Sequence, residues 1–328
     1  MLRTEHQEFA KVLRAYEAEL REVEEHLREM LQGPVALVSA VGQYILGSGG
    51  KRLRPLFLLA SARLAGYQGR EHIGLAAVVE FIHTASLLHD DVIDQAELRR
   101  GKAAAHSMWG NQVVILVGDY MYSNALKAAV GLGRLEVMQA LSAATTAMTE
   151  GELLQLQLTG DTGITEQQYM QIIAAKTGVL ISAACRIGAI LAGLAPEQEE
   201  ALAQYGLKAG LAFQMADDLL DYRAQSGFGK RLGMDLKEGK ITLPLIYLLQ
   251  AASAEEAQEL KSIVAEPSQE ALHRVMELLK KYGSLQRAQE RARALVREAQ
   301  EALASSFPPS EPRQELMSLA EYALMREH

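Results

Sequence analysis

Cysteine occurs once in this 328-residue chain, at Cys185, so neither an intrachain disulfide nor a zinc–thiolate cluster is open to it, and a reducing cytoplasm is expected. Proline is also scarce. Its eight positions, 34, 55, 196, 244, 267, 308, 309 and 312, leave residues 56–195 without the strongest helix breaker. Positive charge is in deficit: the net charge is -8, which argues against nucleic acid as the main partner, because a phosphate backbone calls for a basic face. An anionic ligand would need a local basic pocket. The opening MLRTEHQEFAKVLRAYEAEL carries charges throughout and lacks the apolar core of a signal peptide. The only run of membrane length, residues 177–196, has Arg186 at its middle and Lys176 at its edge. A central arginine costs about 2.5–3.5 kcal/mol on insertion scales, so this run reads as a buried core helix, with at most peripheral membrane contact. No stretch alternates apolar and polar residues long enough to argue for a sheet, and the fold reads as all-α.

What is present is helical periodicity. Phe9, Leu13, Tyr16, Leu20, Val23, Leu27 and Met30 alternate steps of four and three, one apolar stripe on a helix of about 25 residues. Further helical patterns run over 70–93, 111–129, 133–159, 165–194, 197–222, 267–281, 284–305 and 313–326. Glycine-rich breaks at 47–50, 131–133 and 227–233 are too short for domain linkers, so residues 1–328 are read as one domain.

Two clusters share one spacing: DDVID at Asp90, Asp91 and Asp94, and DDLLD at Asp217, Asp218 and Asp221. On a helix, residues i and i+4 stack while i+1 lies about 100° away, so each cluster crowds three carboxylates into one turn. No basic residue within that turn offsets them. A single such cluster reads as a solvated acidic face; two in apolar surroundings, FIHTASLLHDDVID and GLAFQMADDLLDY, read as sites for a hard cation such as Mg²⁺. Basic residues lie nearby. Ser48-Gly-Gly-Lys51-Arg52-Leu53-Arg54-Pro55 is a glycine turn entering a helix, and Arg99, Arg100 and Lys102 follow the first aspartates. Helix-start amides with adjacent lysine and arginine suit an anion, and the planar guanidinium suits diphosphate oxygens. A metal-bound diphosphate would satisfy both sets.

GGKRLRP, LLHDDVIDQAELRRGK, AAKTG, FQMADDLLDY and GKRLGMDLKEGKITLP, in this order over about 48–245, resemble the motifs of the trans-isoprenyl diphosphate synthases, also called polyprenyl synthetases. The resemblance implies an all-helical bundle around a central cavity, usually dimeric, with the two aspartate motifs facing each other across three Mg²⁺ ions on an allylic diphosphate. By motif position Asp90, Asp91 and Asp94 would bind metal from one wall and Asp217, Asp218 and Asp221 from the other. Lys51, Arg54, His83 and Arg100 would hold isopentenyl diphosphate, and Arg99, Lys176, Lys230 and Lys240 the allylic diphosphate. Thr177 and Gln214 match the neutral polar positions that aim oxygen dipoles at the carbocation. The implied reaction ionises the allylic C–O bond, joins the cation to the double bond of isopentenyl diphosphate, and loses a proton.

Members that stop at short products place aromatics four or five residues before the first aspartate; here those positions are Ser86 and Ala85. With Ile82, Val79 and Val78 as the next gates on the helix, none of them aromatic, a product of about 30 to 50 carbons is expected, heptaprenyl favoured, at roughly one unit per helical turn. Gln95, Ala103–Ala105 and Met234 depart from the family pattern without removing a metal ligand or core cation. Other readings are a catalytic subunit needing an unlike partner instead of a homodimer, a shorter-chain synthase, and a terpene cyclase, which Lys51, Arg54 and the intact second motif disfavour. A reading of another class, a di-iron carboxylate bundle, rests on Glu80-x-x-His83 and Glu270-x-x-His273.

Overall fold

The computed structural model describes residues 2–222 and 233–325, except for the side chains of residues 2–6 and 269. In chain order the described residues form α1 (Leu2–Ala15), α2 (Glu17–Met30), α3 (Ala36–Leu46), α4 (Leu53–Leu64) and α5 (Glu71–Ile93). A minimal hairpin of β1 (Leu98–Arg99) and β2 (Lys102–Ala103) precedes α6 (Ala105–Trp109), α7 (Asn111–Val130), α8 (Leu135–Leu158) and α9 (Glu166–Ile173). A π-turn over Ala174–Gly178 runs into α10 (Val179–Ala192), then α11 (Pro196–Asp221), α12 (Met234–Lys237), α13 (Leu243–Ala251) and α14 (Ala254–Ala265). The chain closes with α15 (Gln269–Tyr282), α16 (Ser284–Ser306) and α17 (Glu311–Tyr322), continued by a 3₁₀ turn, Ala323–Met325. The all-α expectation holds, the two-residue strands being the exception.

The core forms around α10, which packs on α11, α4, α8 and α5, while α11 lies against α16 and α5 against α7. Leu180, Ala184, Cys185 and Ile187 of α10 have no exposed surface, and truncating any of the larger ones removes roughly 2–5 kcal/mol. Arg186 escapes this interior by bonding Glu199 at 2.7 Å and Glu200 at 2.5 Å on the first turns of α11. Residues 177–192 thus lie largely inside the bundle, as expected of a core helix, while Gly193, Ala195 and Pro196 are exposed. Two helices, Glu71–Ile93 and Glu166–Ala192, are long and apolar enough to span a membrane, so 177–196 is not the only such run; both are mostly buried within the protein.

Local chemistry sets several boundaries. Thr165 and Gln168 make a reciprocal capping box at the start of α9. Gly193, in the left-handed region at φ 66°, ends α10, and Pro196 opens α11, where its missing N–H costs nothing.

One single-helix expectation needs correction, and a second holds with an irregularity inside it. The stripe from Phe9 to Met30 is carried by α1 and α2, broken at Tyr16, whose ring is buried and whose hydroxyl donates to Glu315 Oε2 of α17 at 2.6 Å. A 3.6-residue repeat specifies a face, not continuity, and the stripe carries on across Tyr16, whose backbone (φ -107°, ψ 11°) leaves the helical region. The 165–194 pattern contains the π-turn, which adds a residue to one turn where the AAKTG motif falls.

Candidate active site

The first aspartate motif ends α5: Asp90 and Asp91 lie in its last turn and Asp94 caps it. The second ends α11, with Asp221 as the last helical residue. Lys176 relates the two. It sits on the π-turn, lines two cavities, one beside each motif, and its charge opposes the upward shifts of Asp90 and Asp218 alike. Burial pushes each of these carboxyls up to about 6. Lys176 also pairs with Glu152 of α8 at 3.2 Å.

Two expected diphosphate ligands rest on carboxylates of the first motif. Arg99 Nε donates to Asp91 Oδ1 at 2.8 Å, seconded by its Nη2, and Lys240 Nζ lies 3.1 Å from Asp94 Oδ2 and 2.8 Å from Glu238. Asp91 Oδ2, in contrast, is buried without a hydrogen-bond partner, an arrangement that costs free energy unless a cation meets it. Carboxylate oxygens are the donors a hard divalent cation prefers, and these residues fit one. Among the described residues no three His, Cys, Asp or Glu side chains come together as a metal-ligand group, so any ion here would draw part of its shell from water and substrate oxygens. Asp221 is turned partly aside: its oxygens accept from the backbone N–H of Met234 and Asp235 at 3.1 and 3.2 Å, fixing the start of α12.

Thr177 and Gln214 are brought together. Thr177 Oγ1 donates to Gln214 Oε1 at 2.7 Å, and Gln214 Nε2 donates to Asp218 Oδ1 at 2.9 Å. Tyr169 donates to the other oxygen of Asp218 at 2.7 Å. Both bonds favour the ionised carboxylate and oppose the rise that burial causes. Helix packing here is close: a Cβ on Gly210 would stand 2.7 Å from Gly178 Cα, so only glycine lets α11 approach the π-turn.

The second basic group forms around His83. Its ring is held well below its usual basicity, first by burial and then by Arg54, Arg100, Arg99 and Arg52, so it is neutral at pH 7. A Cβ on Gly50 would touch Arg100 Nη1 at 2.9 Å, which places this guanidinium against the GGKRLRP turn. Arg100 (φ 52°) and Gly101 (φ 77°) make the tight turn of the β1–β2 hairpin, and Arg52 takes φ 47°. Left-handed non-glycine residues cost of order 1–3 kcal/mol each; Arg52 precedes α4 and Arg100 joins β1 to β2. Arg54, His83 and Arg100 thus share one region, and Lys51 follows the Gly50 that Arg100 touches. Lys230 lies outside the described residues.

Of the five gate positions, Ser86 lines a cavity of about 150 Å³ with Ile93, Tyr122 and Met148, next to Asp90, and Val78 is buried. Ala85, Ile82 and Val79 have no exposed surface and pack in the core. The di-iron reading fails: Glu80 accepts from Arg52 at 3.0 Å in the core, and Glu270 and His273 are exposed on α15.

Several neighbours of the site carry no sequence signal of their own. Tyr122, its hydroxyl pushed up to about 12 by burial and by Asp90 and Glu152, flanks the first motif, and Tyr169 anchors the second. Asp235 is pushed well up by burial and by Asp218 and Asp221. Only the position of Asp235 inside the GMDLKEGK motif could have pointed to it.

The sequence matches the family described as polyprenyl synthetase over residues 35–282. The chain belongs to that family. It is 42% identical over 303 residues to the octaprenyl diphosphate synthase of Escherichia coli K12, covering 91% of this chain and 93% of the relative. It is 32% identical over 301 residues to heptaprenyl diphosphate synthase component 2 of Bacillus subtilis 168, covering 92% and 86%. The crystal structure of a polyprenyl synthase from Caulobacter crescentus CB15, complexed with calcium and isoprenyl diphosphate, superposes with a TM-score of 0.92 at 39% identity over 98% of each chain. As a polyprenyl synthetase this chain is a prenyltransferase, a trans-prenyl diphosphate synthase.

Proposed function

We propose that this synthase condenses isopentenyl diphosphate head-to-tail with an allylic diphosphate, farnesyl or geranyl, to a trans-polyprenyl diphosphate of about 30 to 50 carbons. The observation that carries the reading is the convergence of both aspartate motifs on Lys176. Asp90, Asp91, Asp94, Asp217, Asp218 and Asp221 would hold Mg²⁺, three ions by family resemblance, and the Caulobacter relative's calcium supports a divalent cation. When bound, Mg²⁺ supplies positive charge for the departing diphosphate.

The chain's own residues do the rest. Arg99, Lys176 and Lys240 bind the allylic diphosphate and stabilise the electron pair it takes as the C–O bond breaks. Lys51, Arg54, Arg100 and neutral His83 hold isopentenyl diphosphate so that its double bond reaches the allylic carbon. Thr177 and Gln214, hydrogen-bonded to each other, offer neutral oxygen dipoles to the cation. The released diphosphate takes the proton that restores the alkene.

Ser86 on the cavity wall favours a long product. The octaprenyl relative at 42% identity and the heptaprenyl component at 32% move the preferred length from heptaprenyl to octaprenyl. The chain is taken as one cytoplasmic domain acting as a homodimer, for which exposed Leu116 of α7 and Leu153 and Leu156 of α8 offer apolar surface. The Bacillus component keeps a heteromer as the second reading. Incubation of the purified chain with Mg²⁺, isopentenyl diphosphate and farnesyl diphosphate, followed by mass analysis, tests both. Turnover only after adding an unlike subunit would replace the homodimer, and no turnover in either case would overturn the function.

A further inference from the structure

Lys51 differs from Arg99, Lys176 and Lys240 in what holds it. Arg99, Lys176 and Lys240 each pair with a carboxylate, whereas the Lys51 ammonium donates to the hydroxyl of Tyr322, at the end of α17. Among the described residues no carboxylate lies in ion-pair contact with Lys51. The ammonium also stands 4.8 Å from the centroid of the Tyr322 ring. That ring is buried and stacked on Phe9 of α1, centroids 3.6 Å apart and planes within 8°. The chain's N-terminal and C-terminal helices therefore meet on one phenol, and the phenol touches one lysine.

The chemistry follows from donors and charge. An ammonium has three N–H donors and moves on a flexible four-carbon stem. A neutral phenol takes one donor and fixes the stem, yet leaves the full positive charge and the remaining donors for an anion. A carboxylate in its place would cancel the charge.

We propose that Tyr322 is a positioning residue for isopentenyl diphosphate binding, locking the Lys51 ammonium onto the diphosphate subsite by way of the Phe9–Tyr322 stack. The inference rests on the reading that Lys51 holds that diphosphate.

The test is a double-mutant cycle read in steady-state kinetics. Tyr322→Phe keeps the stack and removes only the hydroxyl. It should raise KM for isopentenyl diphosphate about tenfold and leave KM for the allylic substrate unchanged, the loss being one bond to a charged group. In a Lys51→Ala background the same substitution should add less than twofold. If Lys51→Ala itself leaves that KM unchanged, the assignment of Lys51 is wrong and the inference falls with it. If Lys51→Ala raises KM but Tyr322→Phe does not, or if the two effects multiply independently, the inference alone is overturned.

Discussion

Ser86→Phe and Ala85→Phe occupy adjacent positions before the first aspartate, and the structure makes them different experiments. Ser86 lines the cavity of about 150 Å³ beside Asp90. A space of that size accepts roughly one benzene ring, so a phenyl at position 86 fills it. The wild-type hydroxyl gives up only a local bond to the His83 carbonyl, 2.8 Å, so the fold should tolerate the change. Ala85 has no exposed surface and stands in packed core. A phenyl there is overpacking, costing about 1–3 kcal/mol or more. At roughly 2–4 °C per kcal/mol, that lowers Tm by several degrees. With Mg²⁺, isopentenyl diphosphate and farnesyl or geranyl diphosphate, Ser86→Phe should shorten the product to about 15 to 20 carbons, because the ring closes the path one turn from Asp90. Its Tm should stay within about 2 °C of the parent, while Ala85→Phe should melt lower whatever its product. Mass analysis of the extracted products and a thermal melt on the same preparations supply both readouts. An active Ser86→Phe with an unchanged product distribution would refute the tunnel assignment.

Other outcomes follow from charge and burial. The Asp90 carboxyl, raised to about 6, favours its protonated form in the fold, so its contribution to stability is present at low pH and lost as pH rises through about 6. Mg²⁺ takes the ionised form, so the rise in Tm on adding Mg²⁺ should be larger at pH 7.5 than at pH 5; an equal rise would remove Asp90 from the metal site. Tyr169→Phe deletes a bond that favours ionised Asp218, moving that carboxyl above about 6 and shifting the acid limb of the kcat/KM profile to higher pH. A limb that stays in place would exclude Asp218 from that ionisation. Arg52→Ala leaves Glu80 buried without its guanidinium, which bonds both Glu80 at 3.0 Å and Glu24 at 2.5 Å, and should cost about 3–5 kcal/mol in urea unfolding; a loss under 1 kcal/mol would count against the buried pair.

The chemical class was legible in the sequence because its carriers are local. DDVID and DDLLD lie on single helix ends, GGKRLRP is one turn, and the apolar repeats of α5, α7, α8 and α11 fall close to their observed bounds. Tertiary structure decided how those pieces meet. The bond from Tyr169 to Asp218 spans 49 residues and that from Tyr16 to Glu315 spans 299, so no local pattern encodes either. The same holds for Lys51 and Tyr322, 271 residues apart, and for Arg52 between Glu24 and Glu80. Helical periodicity says which face is buried, not where a buried tyrosine breaks a helix or where a π-turn sets Lys176 between two carboxylate clusters. Ser86 and Ala85 show the division most plainly: adjacent in sequence, they differ because successive helical positions turn by about 100°, which puts one on a cavity wall and the other in the core.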